Sequence, residues 1–121
     1  METVTQHALL ATLTERFGED PMRWAFECPH CGDIATGQDF RDALDEHPRT
    51  GKGGEPVAVS DLLCTSCIGR VLGALTMPLD QWRAGGNRGC DWVAYGLFHG
   101  PVKVVLPEGG EVFAFRPAPG T

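Results

Sequence analysis

The chain reads as a small α+β domain built around a metal site, with an N-terminal helix and a C-terminal β-hairpin. Three observations lead there. Four of the 5 cysteines fall in two Cys-x-x-Cys pairs, Cys28/Cys31 and Cys64/Cys67. Each such pair can bend round one ion, and two pairs close a tetrahedron. Within Thr5–Phe17, Leu9, Leu13 and Phe17 recur every fourth residue with Leu10 beside them, the spacing of one helical face. Val102–Leu106 and Glu111–Phe115 flank Pro107-Glu-Gly-Gly110, two apolar strands around a turn.

At 121 residues the chain has material for one core, so residues 1–121 are expected to form a single domain. Its 16 Gly and 9 Pro imply much turn and loop, and a loop-rich small domain needs a staple beyond apolar burial. The net charge of −6 disfavours non-specific binding to a phosphate backbone. No apolar run reaches membrane-spanning length, and Met1–Thr14 lacks the basic segment of a secretory signal. A cytoplasmic location with reduced cysteines is therefore expected, which favours metal over disulfides.

The elements follow in order. Thr3 or Thr5 can cap the first helix, and Gly18 then Pro21 stop it. Met22, Trp24, Phe26 and Cys28 alternate with Arg23, Ala25 and Glu27, predicting a strand that delivers Cys28 into the turn Cys28-Pro-His-Cys-Gly32. In such a knuckle the backbone N–H groups point at the sulfurs, and Gly32 permits a left-handed conformation. Thr36-Gly-Gln-Asp39 has capping-box spacing and predicts a short helix through Phe40, Ala43 and Leu44. Residues 47–56, with Gly51, Gly53 and Gly54, read as a flexible loop, and Val57–Val59 as a short strand. Ser60 or Ser66 can cap a helix carrying Ile68, Val71, Leu72 and Leu75, which sets Cys67 in a first helical turn. A knuckle on a hairpin plus a ligand at a helix start predicts a treble-clef or zinc-ribbon-like core. Met77–Gly89 reads as irregular with Trp82 as an anchor, Trp92–Phe98 as a strand, and 117–121 as a frayed tail.

Spacing nominates Cys28, Cys31, Cys64 and Cys67 as ligands of a structural Zn²⁺. Cys90, emerging from Gly85-Gly-Asn-Arg-Gly89, suits a ligand equally, so two fourfold sets are open. His30 lies in the knuckle, whose middle residues point outward. Four cysteines leave no open position for water, which makes the site structural rather than catalytic.

The boxes Cys28-Pro-x-Cys-Gly32, Cys67-Ile-Gly-Arg70 and Cys90-Asp-Trp-x-x-Tyr-Gly-Leu-Phe98 resemble those of a family of small uncharacterised bacterial and phage proteins. Arg16-Phe-Gly-x-Asp-Pro-Met-x-Trp24 is similar too, while residues 41–60 look like an insertion. The resemblance implies that Cys28, Cys31, Cys67 and Cys90 are the ligands and that Cys64 is a departure. It brings no activity with it.

Other chemistries fit less well. Cys-Pro-His-Cys also occurs in thioredoxin-fold thiol oxidoreductases, but there a helix starts at the first Cys, and Gly32-Asp-Ile-Ala-Thr-Gly37 is a poor helix. The segment Gly51-Lys-Gly-Gly54 lacks the phosphate-loop pattern, leaving Arg49 and Lys52 as a weak anion site. Between Arg41 and Arg88 acids balance bases, so no basic stripe marks a nucleic-acid face. The expected function is a zinc-stabilised interaction module, an accessory protein of a bacterium or phage acting through a protein partner. A nucleic-acid or nucleotide binder using loop 47–54 is the alternative, and a thiol oxidoreductase the third. The hairpin, apolar on both faces, predicts an interaction surface or a homodimer contact.

Overall fold

The structure is a computed structural model and describes residues 2–95 and 100–119. It is α+β, with short helices around two small sheets.

Helix α1, Gln6–Phe17, begins where expected: the Thr5 hydroxyl accepts the Ala8 N–H at 3.1 Å. It ends at Gly18, whose φ of +94° lets its N–H return to the Thr14 carbonyl. Leu13 is buried, whereas Leu10 stays exposed. Ahead of it runs a strand that the hydrophobic pattern did not announce, β1 (Glu2–Thr5). Its β-branched Thr3-Val4-Thr5 stretch suits an extended backbone.

Only Ala25–Glu27 of the expected Met22–Cys28 strand is strand, β2. Asp20 accepts the Met22 N–H at 3.0 Å and Pro21 fixes the first φ, so Pro21–Arg23 winds into a 3₁₀ turn instead. The knuckle leads into β3 (Ile34–Thr36), antiparallel to β2. Helix α2, Gly37–Glu46, opens with the full capping box: Thr36 Oγ1 accepts the Asp39 N–H and Asp39 accepts the Thr36 N–H. It buries Phe40 and Ala43.

Residues 47–56 fold back on themselves. Gly51 N–H bonds to the Glu55 carbonyl, Val57 N–H to the Arg49 carbonyl, and Thr50 bridges Pro56. The expected strand Val57–Val59 is replaced by the start of helix α3, Val59–Leu62. Asp61 accepts the Ala58 N–H at 2.9 Å and caps that turn, while Ser60, expected with Ser66 as a cap of the helix carrying Ile68, lies inside α3, and α4 starts without a side-chain cap. The expected single helix is broken, since α4 covers only Gly69–Leu72 and Gly73, at φ +125°, ends it. Cys67 thus lies two residues before α4 rather than in its first turn. The stretch expected to be irregular contains helix α5, Leu79–Ala84, whose Trp82 is buried as anticipated.

The C-terminal hairpin forms as read. Strand β4 (Val102–Val105) pairs antiparallel with β5 (Glu111–Ala114) in the register Val102↔Ala114 to Val105↔Glu111. Gly109, at φ +96°, makes the turn. β1 adds parallel to β4, giving the order β1-β4-β5. The tail does not fray at its start: β6 (Arg116–Pro117) pairs with β2, and Ala118 is buried with its N–H on the Ala25 carbonyl. Arg16 also donates to the Ala118 carbonyl at 2.8 Å. Of the expected strand Trp92–Phe98, Val93 makes one bridge to Ser66, and residues 96–98 lie outside the described part.

Two apolar clusters result. The larger joins Leu13, Phe26, Phe40, Ile68 and Phe115 with Cys28, Cys67 and Cys90. The smaller is Val102, Val104 and Ala114, covered by Val4, Leu9 and Cys64. Among the described residues no helix is long and apolar enough to cross a membrane.

Candidate metal centre

Three segments bring four sulfurs together. The turn between β2 and β3 carries Cys28 and Cys31, the residue pair before α4 carries Cys67, and the Gly-rich run after α5 carries Cys90. The four Sγ atoms lie within 4.8 Å of one another. Cys28–Cys90 and Cys31–Cys67 are each 3.6 Å apart. A tetrahedron with metal–sulfur bonds of about 2.3 Å has sulfur–sulfur edges of about 3.8 Å, so the cluster has the size of a four-thiolate metal site. A disulfide needs roughly 2 Å, and the five cysteines are free.

Each sulfur also meets a backbone N–H. Those of His30 and Cys31 point at Cys28, that of Asp33 at Cys31 and that of Trp92 at Cys90. The Cys90 N–H reaches Cys67 Sγ at 3.2 Å. Such donors favour thiolates. The knuckle forms because Gly32, at φ +79°, sends its N–H back to the Cys28 carbonyl at 2.9 Å. Crowded together, the sulfurs share protons unevenly. Bonds from the Cys67 and Cys90 thiols hold Cys28 down to about 4. Donating to Cys28 and Cys67, and buried besides, Cys90 is pushed up, while burial pushes Cys31 up. A cation among them would replace those shared protons, so the donor set fits a soft or borderline divalent metal.

The approach of Cys90 to Cys67 depends on two glycines. A Cβ on Gly69 would run into the backbone N and O of Cys90, and one on Gly89 would sit 2.7 Å from the Gly69 N. Gly89 also takes φ +78°. Arg88 then ties this arm to the knuckle. Its guanidinium donates to Asp33 at 2.9 Å, to the Ile34 carbonyl at 2.8 Å and to the capping Asp39 at 3.3 Å. Its carbonyl accepts the Trp82 indole N–H at 3.3 Å. Sequence reasoning missed this role for Arg88, because the partners stand 49 to 55 residues away.

Cys64, the rival fourth ligand, is not in the cluster. It packs against Val102, Val104 and Ala114, its carbonyl accepts the Phe115 N–H, and burial raises its thiol. Its spacing from Cys67 fails as a knuckle because Leu63–Ser66 continues the turn of α3, with Ser66 N–H on the Leu62 carbonyl. His30 is exposed, as expected of a middle knuckle residue, yet its Nδ1 lies 3.5 Å from Cys90 Sγ. The Cys-Pro-His-Cys segment opens a turn and then a strand, not the helix of a thiol oxidoreductase. Arg49 is half-buried and Lys52 exposed, and the Glu55 carboxylate lies beside Gly51 and Gly53.

No curated protein and no solved structure matches the chain. A family model does match, over residues 5–118, nearly the whole sequence. By that match the chain belongs to the VVA0879-like family.

Proposed function

We propose that Cys28, Cys31, Cys67 and Cys90 hold one structural Zn²⁺ in a treble-clef-like core, and that the chain works as a zinc-stabilised interaction module. The observation that carries this reading is the closed set of four sulfurs, each supplied with an N–H donor. Thiolates select a soft or borderline ion, and a filled tetrahedron leaves no position for substrate or water. The metal then serves folding, joining three segments that have little regular structure of their own.

The interaction half of the reading rests on an apolar groove of ≈ 410 Å³ beside the hairpin, lined by Leu9, Leu10, Met22, Leu106, Val112 and Phe113 among others. Leu10 and Val112 are exposed there, 42% and 46%. Open apolar surface of this kind favours a protein partner, inside a bacterial or phage-infected cell. The test pairs two measurements on the intact chain. Native mass spectrometry under reducing conditions should give one zinc per chain. Leu10→Asp with Val112→Asp should keep that zinc yet lose whatever protein the unmodified chain retains from cell extract. A folded chain without metal overturns the zinc half. Retention unchanged by both substitutions overturns the use of this groove. Sedimentation distinguishes a second copy of the chain from a foreign partner.

A further inference from the structure

Resting on the zinc reading, we infer that His30 is the outer hydrogen-bond partner of the metal centre, donating Nδ1–H to the Cys90 thiolate and damping its reactivity. The imidazole Nδ1 stands 3.5 Å from Cys90 Sγ. The ring is held there by stacking on Trp92, centroids 5.0 Å apart and planes 18° from parallel. Two independent contacts therefore fix an exposed side chain that would otherwise be free to turn into water. A metal-bound thiolate has no proton to give, so the hydrogen of this pair belongs to Nδ1. The bond is charge-assisted, and it withdraws electron density from the sulfur.

Cys90 is the sulfur that the ring reaches. It comes from the arm remote in sequence from the knuckle, and it enters the cluster only through the Gly69–Gly89 approach. Its own side chain is 0% exposed, although His30 above it is exposed. An exposed imidazole thus lies 3.5 Å from a sulfur that is itself fully buried. Losing it would leave the sulfur more electron-rich and more open to electrophiles. Outer partners of metal ligands typically matter by about 10- to 100-fold in metal retention.

The test uses the full chain loaded with Co²⁺ as a spectroscopic stand-in and, separately, with Zn²⁺. His30→Ala should move the sulfur-to-cobalt charge-transfer band to lower energy. It should also speed zinc release to a thiol-reactive disulfide reagent by about 10-fold. His30→Asn, which keeps an N–H donor near the Nδ1 position, should restore much of both. Bands and release rates in His30→Ala equal to those of the unmodified chain would overturn the inference, leaving the zinc reading intact. A change that Asn does not rescue would overturn it as well, since the ring would then act by bulk alone. If the unmodified chain gives no four-thiolate cobalt spectrum, the zinc reading falls and this inference falls with it.

Discussion

The two ends of this fold are held together by different physics. In the β1-β4-β5 sheet, backbone ladders set the register, and Val102, Val104 and Ala114 bury one face. Around the sulfurs, β2 and β3 have three residues each and α4 has four, too few to stand alone. There the short β3-β2-β6 ladder and the larger apolar cluster are joined by a further meeting point, the four sulfurs on which three segments converge. One region is closed by apolar burial alone; in the other the apolar cluster also holds four convergent sulfurs, for which a bound metal is proposed, and on that proposal the two should fail in different ways.

The largest effect should come from Cys90→Ser. On the proposed ligand set it removes one of four sulfurs, so zinc should be lost, and hydrogen exchange should accelerate most in residues 25–36, 64–74 and 85–93. The amides of β4 and β5 should keep more of their protection. Uniform loss over the whole chain would show one cooperative unit and break the comparison.

Gly69→Ala should come next. Its methyl would meet the Cys90 backbone, and neither chain can retreat without opening the sulfur cluster. A cost of about 3 kcal/mol is expected in denaturant melts, with weaker zinc binding measured by chelator competition. Val104→Ala acts on the other region. Val104 is 3% exposed, and truncation should cost about 2 kcal/mol through lost burial and a small cavity. Its zinc stoichiometry should stay at one. The smallest effect belongs to Cys64→Ser, about 1 kcal/mol from placing a hydroxyl against the valine cluster, with zinc retained. Zinc loss in Cys64→Ser would contradict the ligand set directly.

What could be read in the sequence follows the range of the forces involved. The α1 cap at Thr5, the Thr36/Asp39 capping box, the Gly32 turn and the β4–β5 hairpin are local, and each was legible. Boundaries that depend on competition were not. Asp20-Pro21 took Met22 out of β2, and Asp61 turned Val59 into helix. Pairing across the chain left no local mark: β1 on β4, β6 on β2, and Arg88 on Asp33 and Asp39. The cysteines illustrate both cases. Cys28 and Cys31 were marked by a turn of their own. Cys64 imitated that mark but sits in the turn leaving α3, while Cys90 was marked by a Gly-rich approach and by the resemblance of its box, and its close packing on Gly69 is visible in three dimensions alone.

X-ray absorption at the zinc edge, on protein purified under reducing conditions, tests the central claim most directly. The account predicts one zinc per chain with four sulfur neighbours at about 2.3 Å and no nitrogen or oxygen in the first shell. A shell containing fewer than four sulfurs, or a folded chain carrying no metal, would contradict it.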